Sequence, residues 1–235
     1  MKSSLLRIFI GYDPVESVAW HAMAHSIFTR SSLPVALVPV NISNLKSIFF
    51  RERDPKQSNE FSFTRFLVPY LSGYDGFAAF FDCDMLLRTD VAELFQFAQL
   101  DPSKAVHVVK HDYEPRDGIK YLNTVQYRYP RKNWSSVVLW NCGHPSNLKL
   151  TPDFVSQSTG LELHRFQWLK DDEIGALDVR WNWLVGDYDQ PPPDVKNVHW
   201  TVGGPYFNEY KDADFSDEWY AENEKMNYCM QRAKT

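Results

Sequence analysis

The sequence predicts an α/β fold with a mostly parallel sheet, and two observations support this prediction. Short apolar, β-branched segments alternate along the first half of the chain with segments that carry helix start signals. Hydrophobic residues make up 44% of the 235 residues, which is enough for a real buried core in one large domain. There is no repeat, low-complexity tract or linker, so we expect residues 1–235 to form a single domain.

The first strand and the first helix are clearly marked. Leu5 to Tyr12 is apolar and β-branched enough to predict a buried strand. Asp13, Pro14 and Glu16 then fit the cap, N1 and N3 positions of a helix that we expect to end at about Thr29.

Apolar runs and turn signals predict the remaining elements. Strands or extended segments are expected at residues 34–41, 76–82, 105–110, 135–140, 179–184 and 197–201. Helices are expected at residues 60–71 with an interruption or end near Pro69, from Thr151, at 171–177, and at 216–233 as a solvent-facing terminal helix.

Composition excludes several classes of function. A net charge of -5 without a block of Lys or Arg argues against a nucleic-acid footprint. Cys83, Cys142 and Cys229 are widely spaced and odd in number, which disfavours a disulfide framework and favours a reducing compartment. The chain shows no signal-peptide pattern and no apolar run of transmembrane length. We therefore expect a soluble, cytoplasmic protein.

The segment with the most chemical information is the apolar, aromatic run 76–81, which ends in Asp82-Cys83-Asp84. Residues two apart on an extended strand share a face, so Asp82 and Asp84 can meet one ion. Carboxylate oxygens suit magnesium or manganese, which keep coordination sites for water and ligand phosphates. The alternative is that the two aspartates only start a turn.

Ligands of open α/β sheets bind outside the carboxyl ends of the strands. Tyr12 and Asp13 follow the first predicted strand, where Tyr12 can stack on a base and Asp13 can accept from a base or ribose. The helix-capping role explains Asp13 equally well. Arg65, on a predicted helix before the central strand, has a planar fork that matches phosphate oxygens.

Several segments occur in an order that resembles a known family. Phe-Thr-Arg-Phe-Leu at 63–67 precedes the central strand, and Met-Leu-Leu-Arg-Thr-Asp-Val-Ala-Glu-Leu-Phe follows Asp84. Ser-Ser-Val-Val-Leu-Trp-Asn, Asp-Asp-Glu-Ile and Val-His-Trp-Thr-Val-Gly-Gly-Pro then come at 135–141, 171–174 and 198–205. Over about residues 5–207 this order resembles the GT-A glycosyltransferases of family 8, the group of glycogenin and bacterial galactosyltransferases.

The resemblance implies a Rossmann-like three-layer sandwich and a metal-dependent, retaining glycosyltransferase. Such an enzyme moves a hexose from a nucleotide sugar, usually a UDP-sugar, to a glycan, lipid-linked or protein acceptor. Residues 1–110 would form the nucleotide-binding half, 111–207 the acceptor-side half and 208–235 a helical tail.

The resemblance also implies roles for individual residues. Asp82, Asp84 and His199 match the positions that hold Mn²⁺ or Mg²⁺. Asp171 and Asp172 match the acidic positions that orient the sugar or stabilise positive charge at its anomeric carbon, with Asp172 ahead of Asp171. The remaining matches are donor-binding positions, namely Tyr12, Asp13, Arg65, Cys83, Gly203 and Gly204. Glycines beside His199 would let the backbone approach a diphosphate closely.

The chain departs from the family pattern at three places. Asp171-Asp172-Glu173 replaces the family's Asp-Gln-Asp, which keeps the acidity but loses the central amide. Trp134 stands where relatives carry Asn, so a polar group near the transferred sugar is missing or supplied elsewhere. The Lys-Pro-Trp that follows the histidine in relatives is replaced by Gly204-Pro205-Tyr206-Phe207, which removes a cation unless Lys211 substitutes. A different donor or acceptor would fit these changes.

Two alternatives from other classes remain. One is a haloacid dehalogenase-type phosphohydrolase, but its Asp-x-Asp ends the first strand and is followed two residues later by Thr or Val, whereas this chain has Leu86. The other is a degenerate transferase that binds a nucleotide sugar without turnover, which the lost Lys and Asn positions suggest.

Overall fold

A computed structural model describes residues 5–53, 57, 59–111 and 131–228 of the protein. The described strands are β1 Leu6–Gly11, β2 Val35–Val40, β3 Phe77–Phe81, β4 Met85–Leu87, β5 Val106–Val109, β6 Val137–Asn141, β7 Ile174–Leu177, β8 Trp183–Leu184 and β9 Asn197–His199. The described helices are α1 Ser17–Arg30, α2 Val68–Leu71, α3 Ala92–Leu100, α4 Pro152–Gln157, α5 Gly160–His164 and α6 Ser216–Asn227.

The main sheet contains six of the described strands in the order β2-β1-β3-β6-β5-β7. β1 is parallel to β2 and β3, β5 is parallel to β7, and β6 is antiparallel to both of its neighbours. Only β6 is therefore reversed, and the predicted mostly parallel α/β sheet is confirmed.

One edge of this sheet collects polar residues. Because the other five strands run the same way, the carboxyl ends of β1, β3, β5 and β7 lie at the edge where β6 begins. Asp82 follows β3 there, and its backbone N–H donates to the carbonyl of Ser136, just before β6, at 3.0 Å. This is the edge at which open α/β sheets bind ligands.

A small second sheet, in the order β4-β9-β8, extends from this edge. β4 starts directly after Asp84, and its antiparallel pairing with β9 sets Met85 opposite His199. The N–H of Trp200 donates to the Asp84 carbonyl at 3.0 Å. The pairing therefore brings His199 beside Asp84, although the two are far apart in the sequence.

The first helix begins almost where the sequence predicts. Asp13 accepts a hydrogen bond from the Val15 N–H at 2.9 Å and caps a 3-10 turn, Pro14–Glu16, after which α1 continues to Arg30. Within the described part of the chain, no helix combines the length and apolar character needed to cross a bilayer.

The predicted helix at 171–177 is wrong. Asp171–Glu173 forms one 3-10 turn, and Ile174–Leu177 is β7, the edge strand that pairs with β5. The acidic start suggested a helix N-terminus, but pairing with β5 takes the following residues. Gly175 permits this pairing because a Cβ there would lie 2.3 Å from the His107 ring.

Other boundaries also differ from the predictions. Residues 64–67 form a 3-10 turn before the short α2, which contains Pro69 in its first turn, and 179–182 is a 3-10 turn rather than extended chain. The terminal helix is not solvent-facing all round, because Trp219 and Glu222 are buried. Glu222 accepts from His25 at 2.5 Å and from Arg30 at 2.6 Å, which holds α6 against α1. The predicted extension of this helix over residues 229–233 lies outside the described residues.

Candidate metal centre

Asp82, Asp84 and His199 form one cluster at the carboxyl edge of the main sheet. Their ligand atoms all lie within 4.8 Å of one another. Nε2 of His199 is 3.3 Å from Oδ1 of Asp84, and the two side chains are 3% and 13% exposed. Asp82 and Asp84 therefore meet in one cluster, as the sequence predicted from a shared strand face, although a bend rather than a continuous strand joins them.

Arg65 lies against Asp82. Its Nη1 is 2.6 Å from Asp82 Oδ1 and donates to the Ser135 carbonyl at 3.0 Å, while its guanidinium lies over the Phe61 and Phe80 rings. Arg65 is only 4% exposed. In this arrangement Arg65 is bound to a cluster carboxylate, whereas the sequence suggested direct contact with a diphosphate.

The electrostatics of Asp82 reflect its burial. Burial raises the pKa of Asp82 to about 6, the nearby Asp84 adds to the rise, and Arg65 and His199 oppose it. The buried Oδ1 of Asp82 has Nη1 of Arg65 beside it at 2.6 Å. Two largely buried carboxylates facing an imidazole fit a divalent cation such as Mn²⁺ or Mg²⁺. The donor set of this site therefore suits the implied metal.

Asn182 joins this cluster to its surroundings, although the sequence analysis did not single it out. It is fully buried, and its Oδ1 lies 2.8 Å from Nδ1 of His199. Its Nδ2 lies 2.8 Å from Ser136 Oγ and 2.9 Å from Nε2 of His111. Nδ1 of His111 lies 2.7 Å from the hydroxyl of Tyr188. Nothing local in the sequence marks Asn182, because its partners come from distant segments.

The residues after β1 have mainly internal contacts. Asp13 accepts from Val15 with one oxygen and from the Glu60 N–H with the other at 3.0 Å, so the capping role is confirmed. Tyr12 is half-buried and makes an edge contact with Trp20 at 6.4 Å between centroids. Their predicted contacts with a nucleotide stay predictions.

Glu16, which is buried, and Tyr206, which is half-buried, form a second pair near the cluster. The Tyr206 hydroxyl donates to the Glu16 carboxylate, which is 2% exposed. Burial and the charges of Glu16 and Asp84 raise the pKa of Tyr206 well above its usual value. The pair links the segment after β9 to the turn after β1.

Gly203 and Gly204 have other immediate neighbours than the expected diphosphate. A Cβ at Gly203 would lie 2.3 Å from the Tyr210 ring, and one at Gly204 would lie 2.2 Å from the Tyr206 ring. The protein's own tyrosines therefore make the close approach that these glycines allow. Lys211 is exposed.

The Cys83 side chain is fully buried in the main core, and burial raises the pKa of its thiol well above the usual value. Cys83 is thus a core residue between the two aspartates, and its thiol has no place in the metal cluster. Its predicted part in donor binding stays a prediction.

The structure does not bring Asp171 and Asp172 to the cluster, and their assignment as catalytic residues stays a prediction. Both are exposed and precede β7, so they lie at its amino end, whereas Asp82 follows the carboxyl end of β3. Asp171 pairs with Arg131, and the carbonyl of Asp172 accepts from Lys104. The physical reason is that β7 begins immediately after them, with no helix to carry them across the sheet.

His164, which lies next to Ser135 and Arg65, makes the stability of the protein depend on pH. It lies 2.7 Å from Ser135 Oγ, and burial lowers its pKa to about 3, with Arg65 adding to the effect. His164 therefore binds a proton more readily in the unfolded chain than in the folded protein. The stability that comes from its neutral ring is lost as pH falls below about 6.5, where the unfolded chain becomes protonated.

We expect the wild-type protein to lose about 1.4 kcal/mol of unfolding free energy, relative to His164→Asn, for each pH unit between about 6 and 4. Urea unfolding of both proteins across this range measures the difference, in which titrations common to both cancel. Parallel pH profiles would show that His164 is not held neutral.

Comparison with known proteins adds two findings. None of the established protein-family models matches the chain. The chain is similar to Protein CDI of Arabidopsis thaliana, with 48% identity over 227 residues that cover 94% of this chain and 87% of that protein.

Solved structures with a similar fold are glycosyltransferases. The bifunctional glycosyltransferase WbbM has a TM-score of 0.66 and 14% identity, over 94% of this chain and 50% of its own. The galactosyltransferase LgtC, solved with donor and acceptor sugar analogues, has a TM-score of 0.63 and 12% identity, over 96% and 98%. GlyE of Streptococcus pneumoniae has a TM-score of 0.59 and 13% identity, over 94% and 60%.

The chain thus spans half of WbbM and 60% of GlyE. Likeness at this level of identity shows the fold, which is that of the GT-A glycosyltransferases.

Proposed function

The chain belongs to the same protein family as Protein CDI of Arabidopsis thaliana, and from its GT-A fold and its Asp82-Asp84-His199 cluster we propose that it is a metal-dependent glycosyltransferase. The observation that carries the proposal is the position of this cluster. Two carboxylates and an imidazole converge at the edge where open α/β sheets bind their ligands.

The proposed reaction moves a hexose from a UDP-sugar to an acceptor with retention of configuration. UDP and retention are inferred from the resemblance to family 8. In this proposal residues up to about 110 form the nucleotide half and residues 111–207 the acceptor half. Asp82 and Asp84 belong to the first half and His199 to the second, so one ion bound by all three would join the halves.

The chain's own residues have distinct tasks in this proposal. Asp82, Asp84 and His199 hold the cation, Arg65 keeps the buried Asp82 ionised and in place, and Asn182 holds the His199 ring. The bound ion supplies positive charge that stabilises the leaving nucleoside diphosphate. We assign no protein nucleophile, because the acceptor can attack on the face from which the phosphate departs. Asp171 and Asp172, which are exposed at the amino end of β7, are assigned no chemical step in this proposal.

Release of UDP without an acceptor tests the proposal directly. With a panel including UDP-glucose and UDP-galactose, we expect at least one donor to release UDP in the presence of Mn²⁺ or Mg²⁺. EDTA should reduce the release to background, because the cluster would then hold no cation. Release that persists in EDTA, or hydrolysis of phosphate esters in place of UDP-sugars, would contradict the proposal.

A second candidate is binding of the nucleotide sugar without turnover. The observation that favours it is that Asp171 and Asp172, the acids that the resemblance assigned to the sugar, are exposed at the amino end of β7 and are not part of the cluster. Thermal shift with UDP and Mn²⁺ separates the two functions. Stabilisation without UDP release from any donor supports the binding protein, and stabilisation with release supports the enzyme.

A further inference from the structure

The orientation of the Asn182 amide follows from its neighbours. Nδ2 lies 3.3 Å from the Asn133 carbonyl, which can only accept a hydrogen bond. Ser136 donates its one hydroxyl proton to the same carbonyl at 2.6 Å, so Ser136 Oγ accepts from Asn182 at 2.8 Å. Both contacts require the NH₂ group on this side of Asn182 and therefore place its Oδ1 against His199.

This orientation determines which nitrogen of His199 carries the proton. Oδ1 of Asn182 is only an acceptor, so Nδ1 of His199, 2.8 Å away, must donate. In the neutral imidazole the lone pair is then on Nε2, which faces Asp84 Oδ1 at 3.3 Å. A lone pair facing two carboxylates is unfavourable unless a cation lies between them.

His111 supports the amide from the other side. Its Nε2 lies 2.9 Å from the Asn182 NH₂ group and accepts one of the two amide protons, while the other points to Ser136 Oγ and the more distant Asn133 carbonyl. Its Nδ1 then carries the proton and faces the Tyr188 hydroxyl at 2.7 Å. The hydrogen bonds that link Tyr188, His111, Asn182 and His199 are therefore all consistent with an unprotonated Nε2 on His199.

We infer that Asn182 is a positioning residue that presents His199 to a divalent cation through Nε2. The chemical consequence rests on the proposed metal site, whereas the tautomer is a property of the metal-free chain. Partners that orient a metal-bound histidine in this way fix its ring and tautomer and contribute to metal affinity.

Loss of the Asn182 acceptor makes the other tautomer available. Nε2 can then carry the proton and donate to Asp84, the carboxylate 3.3 Å away. That hydrogen bond would occupy the lone pair and the carboxylate oxygen that a metal needs. A buried apolar residue at position 182 should therefore weaken metal binding, although none of the three metal ligands is replaced.

Nitrogen-15 NMR of the histidine rings tests the tautomer in metal-free protein, at a pH high enough that the His199 ring signals no longer change with pH. We expect Nδ1 of wild-type His199 to be protonated and Nε2 to be unprotonated, with His199→Gln identifying the signals. A proton on Nε2 of the wild-type protein would overturn the inference without any need for a variant at position 182.

Asn182→Leu should move the proton to Nε2 and reduce Mn²⁺ affinity, measured by titration of Mn²⁺ in the presence of UDP, by about 10–100-fold. Asn182→Asp keeps an acceptor facing Nδ1 and should preserve the wild-type tautomer. The matched control is Asn147→Leu, since Asn147 is also fully buried and donates to the carbonyls of Ala105 and Asn141 at the opposite edge of the sheet. This control should change neither the tautomer nor the Mn²⁺ affinity.

The outcomes separate this inference from the proposed function. Unchanged His199 signals together with unchanged Mn²⁺ affinity in Asn182→Leu would overturn the positioning role. A tautomer that depends on Asn182 in a wild-type protein that does not bind Mn²⁺ with UDP would overturn the metal site and support the orienting role of Asn182. Equal losses in Asn182→Leu and Asn147→Leu would show a general structural effect and contradict the inference.

Discussion

Replacing Asp82 and Asp84 together with asparagine should reduce metal-dependent UDP release by about a thousandfold or more. A bound cation contributes several kcal/mol of stabilisation to a developing phosphate charge, and each 1.36 kcal/mol corresponds to about tenfold in rate. Asparagine keeps the size of the side chains and removes the two negative charges that hold the ion. Initial rates of UDP release at saturating Mn²⁺ provide the measurement.

The chain contains a matched control for this experiment. Asp171 and Asp172 are also a pair of acids at nearly the same spacing, but they are exposed at the amino end of β7. Asp171→Asn with Asp172→Asn should leave UDP release within about threefold of wild type, since surface changes of this kind rarely exceed about 0.5 kcal/mol. A thousandfold loss in this control with normal activity in the Asp82/Asp84 variant would reverse the assignment of the site.

Replacing Arg65 with methionine should lower the free energy of unfolding by about 3–5 kcal/mol. Arg65 is buried beside Asp82 at 2.6 Å, so the variant leaves an ionised carboxylate without its main positive partner. Urea unfolding of metal-free protein at about pH 8, where wild-type Asp82 with its pKa of about 6 is ionised, measures the loss. Without Arg65 the pKa of Asp82 rises further, so the variant must either bury an unpaired charge or bind a proton. Mn²⁺ with UDP should restore part of the stability, because a ligand that binds only the folded state stabilises it.

Two further variants show whether the effect comes from the buried charge. Asp82→Leu combined with Arg65→Met removes both charges and should recover much of the lost stability. Arg53→Met is the exposed counterpart, since Arg53 pairs with Glu60 at 2.8 Å with its side chain 54% exposed, and it should cost less than about 1 kcal/mol. A loss in Arg65→Met no larger than in Arg53→Met would contradict the buried ion pair.

Some of the fold could be predicted because its signals are local. The strands around 6–11, 77–81, 106–109 and 137–141 are short apolar runs, and such runs are buried wherever they occur in a sheet of this kind. Asp82 and Asp84 could be predicted as a pair for the same reason, because two acids directly after a buried strand must emerge at its carboxyl end.

The segment from 171 to 184 could not be predicted from local signals. Its acids are typical of a helix start, but Ile174–Leu177 gains more by pairing with β5, and that pairing depends on a strand far earlier in the chain. This strand pairing places Asp171 and Asp172 at the amino end of β7 and not in the cluster. The same segment delivers Asn182, whose importance lies entirely in its contacts with Ser136, His111 and His199.

The sequence by itself determined the α/β class, the Asp-x-Asp pair and, through family resemblance, His199 as its distant partner. Hydrophobic period and side-chain chemistry are properties of neighbouring residues and can be read along the chain. Only the tertiary structure decided that Arg65 pairs with Asp82, that Tyr206 and Tyr210 cover the two glycines, and that Asn182 orients His199. These contacts arise when distant segments meet at one edge of the sheet, and burial there makes each hydrogen bond and charge pair specific.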